Sequence, residues 1–192
     1  YDYVLNAEDL FPSDLRYRAQ LVDFDLDGRK DLFTWGLGGG LKVYRNVSDL
    51  VNGLQWVLFQ SDVQSDYALN GMQSLFISSD DLPGLVDVDE DGDLDILTSD
   101  ASGLRLEYHQ NQSIQLYGTP DSLVFVQKNE CWGKFTEGQT NFTINLNDTT
   151  PPCQNGNIAN PERTSITASQ KKMHAGTSIL CLDIDSSGVK DI

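Results

Sequence analysis

The chain of 192 residues carries 29 Asp and Glu against 13 Lys and Arg, a formal net charge of −16. Such a balance offers no basic surface to a nucleic-acid backbone and argues against nucleic acid as a partner. Apolar residues make up 39%, no apolar run approaches the roughly 20 residues that span a bilayer, and the abundance of Gly, Asn, Ser, Thr and Asp points to short strands and turns rather than long helices.

In chain order, Tyr1 to Leu5 reads as a short strand and Ala19 to Val22 as a strand that runs into an acidic loop. Leu32 to Trp35 leaves that loop as a second strand. Gly36 to Gly40 is a glycine-rich turn, Leu41 to Asn46 alternates as a third strand, and Trp56 to Phe59 makes a fourth. The order then recurs. Leu85-Val86 enters a second acidic loop, Ile96 to Thr98 leaves it, residues 100–103 turn, and Leu104 to Tyr108 alternates again. Asn46 of the first unit answers Asn111 of the second. Ser178 to Leu182 enters a third acidic loop, where the chain stops.

The three loops span residues 23–31, 87–95 and 183–191. Side-chain oxygens recur at positions 1, 3, 5 and 9: Asp23, Asp25, Asp27 and Asp31; Asp87, Asp89, Asp91 and Asp95; Asp183, Asp185, Ser187 and Asp191. Position 6 is Gly28, Gly92 or Gly188, and an aliphatic residue follows position 9. Calcium is a hard ion that takes six to eight oxygens, and a loop curling around it turns alternate side chains inward. A glycine at position 6 permits the sharp turn. Position 7 (Arg29, Asp93, Val189) needs only its backbone carbonyl, so its side chain is expected to be dispensable. The absence of Glu at position 12 and the β-type flanks exclude a helix–loop–helix site. The pattern therefore predicts about three calcium ions in structural rather than catalytic sites. The third loop is the poorest, because Ser187 offers a hydroxyl where the others offer a carboxylate.

Cys131 and Cys153 bracket an Asn-, Thr- and Pro-rich stretch at 129–170 in which residues 142–146 alternate as an extra hairpin strand. The two cysteines either pair as a disulfide or remain buried thiols. His109 and His174 read as turn or surface residues. Trp35, Trp56, Trp132, Tyr44 and Tyr108 read as packing residues rather than a sugar platform. Asn46, Asn111, Asn141 and Asn147 each begin an Asn-x-Ser/Thr sequon.

The acidic loops, spaced by 64 and 96 residues, resemble those of the FG-GAP/VCBS repeat family, the β-propellers of integrin α-subunits and many bacterial surface proteins. The form Asp-x-Asp-x-Asp-Gly-x-x-Asp is met in full at Asp23/Asp25/Asp27/Asp31 and Asp87/Asp89/Asp91/Asp95, and with one substitution at Asp183/Asp185/Ser187/Asp191. The strings Cys131 to Phe135 and His174 to Ser178 are similar to those of secreted Bacteroidetes surface proteins. The resemblance implies an all-β chain: about three calcium-bearing blades of a seven-bladed propeller over residues 1–192, with an inserted hairpin near 129–170. It also implies an extracellular or cell-surface setting, at the bacterial outer membrane in that family, with a binding or adhesion role toward a protein or glycan. The alternatives are a propeller-fold lyase or glycan hydrolase, and a passive subunit of an envelope complex. The residues themselves show no nucleophile or acid–base pair beside the loops.

Overall fold

The computed structural model describes residues 6–68, 70–138, 143–149, 153, 178–184 and 186–187. The strand expected at 1–5 lies outside them, as do His174, Asp185, Val189 and Asp191. Among the described residues, β1 (Ala19–Val22), β2 (Asp31–Trp35), β3 (Leu41–Asn46) and β4 (Trp56–Gln60) form a four-stranded antiparallel meander in sequence order. The second sheet has six strands. It contains β5 (Gln64–Asp66), β6 (Met72–Ser74), β7 (Gly84–Val86), β8 (Asp95–Ser99), β9 (Leu106–Asn111) and β10 (Phe125–Trp132), ordered β6-β5-β10-β9-β8-β7. A five-residue helix, α1 (Ser113–Tyr117), joins β9 to β10. β11 (Phe135–Glu137) and β12 (Ile144–Leu146) pair as a separate hairpin inside the 129–170 stretch.

The two acidic loops fully inside these units are hairpin connections in the same register. Val22 pairs with Asp31 around the first and Val86 with Asp95 around the second. The strands leaving the loops are the most enclosed. Asp31 to Thr34 and Asp95 to Ser99 are all buried. The alternation of Leu41, Val43 and their neighbours turns one face of β3 inward, where Phe24, Phe33, Leu41 and Val43 meet Val63, Leu75, Ile77, Leu94, Ile96, Leu123 and Phe125 in a single cluster. Each fully buried side chain of this size contributes about 1.5–3 kcal/mol. The loops contribute to it directly: Phe24 is position 2 of the first and Leu94 position 8 of the second.

The sheets are open, and this overturns the propeller. A propeller repeats one self-contained antiparallel sheet around a channel. Here the second unit does not repeat the first, because β10 pairs in parallel with β5 (Phe125 with Ser65, Val126 with Asp66) and so joins β5 and β6 to the β7–β10 strands through β10. None of the three sheets closes or curls. The physical reason is that an acidic loop encodes only the hairpin it closes. Which strands pair beyond that hairpin depends on distant partners, which the loop spacing does not specify. The expected entry strand at Ser178 to Leu182 is likewise not formed as such: Ser178 makes an isolated parallel bridge to Leu82.

Candidate metal centre

Each loop is built by its own carboxylates capping its own backbone. In the first, Asp23 accepts the amides of Asp27 (3.1 Å) and Gly28 (2.9 Å), and Asp27 accepts that of Arg29 (2.8 Å). In the second, Asp87 accepts the amide of Gly92 (3.0 Å) and Asp91 that of Asp93 (3.0 Å). The third begins the same way, with the Ser187 amide on Asp183 at 2.9 Å. Position 6 takes a left-handed backbone in both complete loops (Gly28 φ 88°, Gly92 φ 98°). A Cβ there would meet nothing within 4 Å, so the glycine is required by conformation and not by space. Position 4 is left-handed in all three loops, at Leu26 (φ 56°), Glu90 (φ 62°) and Ser186 (φ 59°). The residue types at that position gave no sign of it.

Position 9 plays a different part. Asp31 accepts the Phe24 amide at 3.1 Å and, across the sheet, the Asn46 amide at 2.8 Å. Asp95 repeats this with Val88 at 2.9 Å and Asn111 at 2.8 Å, and also accepts the Tyr108 hydroxyl at 3.1 Å. Both aspartates are fully buried braces between loop and third strand. Burial pushes the carboxyl of Asp31 up, and that of Asp95 up to about 7, against the opposing pull of these amides.

Two sets of carboxylates converge: Asp23, Asp25 and Asp27, and Asp87, Asp89 and Asp95, each with ligand atoms within 4.8 Å of one another. Either set could coordinate a divalent cation. The second fits better on a separate ground. Asp87 Oδ1 and Asp93 Oδ1 are buried oxygens with no hydrogen-bond donor, and Asp93 is only 2% exposed. Its carboxyl is pushed up to about 6, first by burial and then by the charges of Asp91 and Asp89. A hard cation is the group that relieves crowded, undonated carboxylate oxygens. Asp93 is also more than a carbonyl donor, because its Oδ2 accepts the Ile114 amide at the start of α1 (2.9 Å). Of the third loop only Asp183 and Ser187 among the proposed ligands are described; Asp185, Val189 and Asp191 lie outside the described residues.

Other sequence features resolve differently. Cys131 and Cys153 form a disulfide, and both are buried. His109 is not a surface residue: it is fully buried in β9, with Nδ1 2.8 Å from Ser65 Oγ and Nε2 3.5 Å from Glu107. That order resembles nucleophile, base and acid, but Ser65 and His109 are both sealed inside the sheet, where no substrate could reach the hydroxyl. The sequons at Asn46 and Asn111 are also internal, with their amide nitrogens donating to Lys30 O (3.0 Å) and Ser122 O (2.9 Å).

Among the described residues no helix is long and apolar enough to cross a membrane. The chain matches no protein-family model, no curated protein and no solved structure, so the resemblance of its loops to the FG-GAP/VCBS repeats is a likeness of hairpin turns without the fold or the family behind it.

Proposed function

We propose that this chain is a calcium-stabilised extracellular binding module, in which the cation fixes the β7–β8 hairpin and so holds the surface it presents to a protein or glycan partner. The observation that carries the reading is the second loop. Three carboxylates converge there, those of Asp87, Asp89 and Asp95; two buried oxygens, Asp87 Oδ1 and Asp93 Oδ1, lack donors; and no basic residue lies between positions 87 and 95. Calcium is favoured over magnesium because the donors are carboxylates of one irregular loop, and calcium accepts irregular oxygen sets where magnesium demands a near-ideal octahedron. An extracellular setting is supported by two features: the Cys131–Cys153 disulfide, which persists in oxidising compartments, and a site made of one short loop, which millimolar external calcium would fill.

The test is a thermal melt of the protein in millimolar calcium and in chelator. A cation that binds only the folded chain at about 100 times its Kd adds ~2.7 kcal/mol, which should raise Tm by several degrees. Equal melting temperatures in calcium, magnesium and chelator would sink the proposal.

A further inference from the structure

The two complete loops share a backbone but differ in what faces their acids. In the first, Arg45 Nε lies 3.0 Å from Asp25 Oδ2, and the Arg29 guanidinium pairs with Asp27. In the second, the same two positions are met by neutral amides: the Gln110 side-chain nitrogen donates to Asp89, and that of Gln115 to Asp91. The correspondence is structural. Arg45 precedes Asn46 as Gln110 precedes Asn111, and each asparagine amide is held by the position-9 aspartate of its own loop.

We infer that the two loops are unequal: the second is the divalent-cation site, while in the first the guanidinium groups of Arg45 and Arg29 stand in the cation's place. This rests on the reading of the protein as a calcium-binding module and deepens it.

Three observations carry the inference. First, charge. Residues 87–95 hold six carboxylates and no base, whereas residues 23–31 hold four carboxylates with Arg29 and Lys30 among them. Second, satisfaction. Buried carboxylate oxygens without donors occur in the second loop, at Asp87 and Asp93, and not in the described first loop. Asp93 itself is almost wholly enclosed and adjoins Asp91. Third, anchoring. Arg45 is not a loose surface cation. Its guanidinium lies 4.6 Å from the Phe59 ring centroid and 5.3 Å from that of Phe24, and its Nη2 donates to Asp121 O at 3.2 Å. A cation entering the first loop must displace this clamped group from Asp25. A glutamine facing the second loop needs only to rotate its amide by half a turn. It then offers Oε1 to the ion instead of Nε2 to the carboxylate, so Gln110 and Gln115 become additional oxygen donors.

Calcium titration of the full chain by calorimetry tests this, with circular dichroism to check folding. Wild type should show a tight site that Asp89→Ala abolishes and Asp25→Ala leaves intact. Gln110→Arg should weaken that site by about tenfold or more, the scale of one charge-assisted pair to be displaced. Arg29→Gln combined with Arg45→Gln should add one further site of comparable affinity. Because Arg45 also packs on two rings, Arg29→Gln alone serves as a milder variant and should strengthen first-loop binding by about tenfold. Loss of the tight site in Asp25→Ala, or an unchanged stoichiometry in the folded arginine variants, overturns the inequality and leaves the calcium reading standing. No calcium binding by wild type or any variant overturns both.

Discussion

The backbone amide of Asn111 donates to Asp95 Oδ1 at 2.8 Å, tying the start of β8 to the end of β9 through a carboxylate buried in the sheet. With the Val88 amide and the Tyr108 hydroxyl on its other oxygen, Asp95 serves three donors. Replacing it with alanine leaves those donors unpaired in the interior, at roughly 1–3 kcal/mol for each group. Asp95→Ala should therefore destabilise the protein by about 3–5 kcal/mol even in chelator, whereas Asp89→Ala, at an exposed position, should change stability in chelator by under about 1 kcal/mol. Urea unfolding with and without calcium separates the two. Equal effects in chelator would show that Asp95 is a ligand only.

Asp93 is expected to matter through its side chain. It accepts the Ile114 amide and so anchors α1 to the second loop. Asp93→Ala should cost about 1–2 kcal/mol in chelator and increase hydrogen exchange at Ile114. If exchange at Ile114 is unchanged, the carboxylate does not hold the helix.

How far these relationships could be read from the sequence depends on their range. The hairpins around both loops, and β1 and β3 to the residue, follow from local patterns: alternating apolar positions, a glycine at the sharpest point and acids at every second position. The correspondence of Asn46 with Asn111 was also legible, although not its cause, which is the buried carboxylate of Asp31 or Asp95. What was not legible is non-local. β5 and β6 are three-residue strands of mostly polar side chains, without apolar alternation. Their place in the second sheet comes from a parallel pair with β10 some 60 residues away, and that pair is what extends the second sheet to six strands. The pairing of Arg45 with Asp25 is not legible for a similar reason. Arg45 lies on β3, outside the loop it neutralises.

Leu26 is 65% exposed and holds φ 56°, a conformation that disfavours a branched side chain by roughly 1–2 kcal/mol. Asparagine and glycine tolerate that region better. Leu26→Asn or Leu26→Gly should raise stability by about 0.5–1 kcal/mol, visible as a higher urea midpoint at unchanged slope. Destabilisation by both variants would mean that Leu26 makes a packing contribution larger than its strain.

Two tyrosines should resist ionisation. Tyr44 and Tyr108 each donate their hydroxyl to a carboxylate, Asp14 and Asp95. Burial, together with that negative neighbour, pushes Tyr44 up to about 12 and Tyr108 up as well. Because the folded values lie above the unfolded value near 10, their stabilisation is complete below pH 10 and is lost as pH rises through the folded values. Tyrosinate absorbance at 295 nm should therefore show two tyrosines that ionise near pH 10 only when the chain is unfolded in denaturant. Titration of all tyrosines near pH 10 in the folded protein would contradict this.

The Cys131–Cys153 disulfide closes a separation of 22 residues between the end of β10 and the segment beyond β12. Loop-closure entropy on that scale amounts to roughly 3 kcal/mol, so Cys131→Ser with Cys153→Ser, or reduction of the wild type, should lower Tm by roughly 6–12 °C. The bond lies on the β10 side of the second sheet, while the β7–β8 hairpin carrying the candidate metal loop is at the opposite edge, two strands away from β10. Reduction should therefore leave calcium affinity within about twofold wherever the protein remains folded. A parallel loss of calcium affinity would mean that the hairpin β11–β12 and the metal loop are coupled through the sheet. An unchanged Tm would mean that the disulfide secures only its own hairpin and not the six-stranded sheet to which that hairpin is attached.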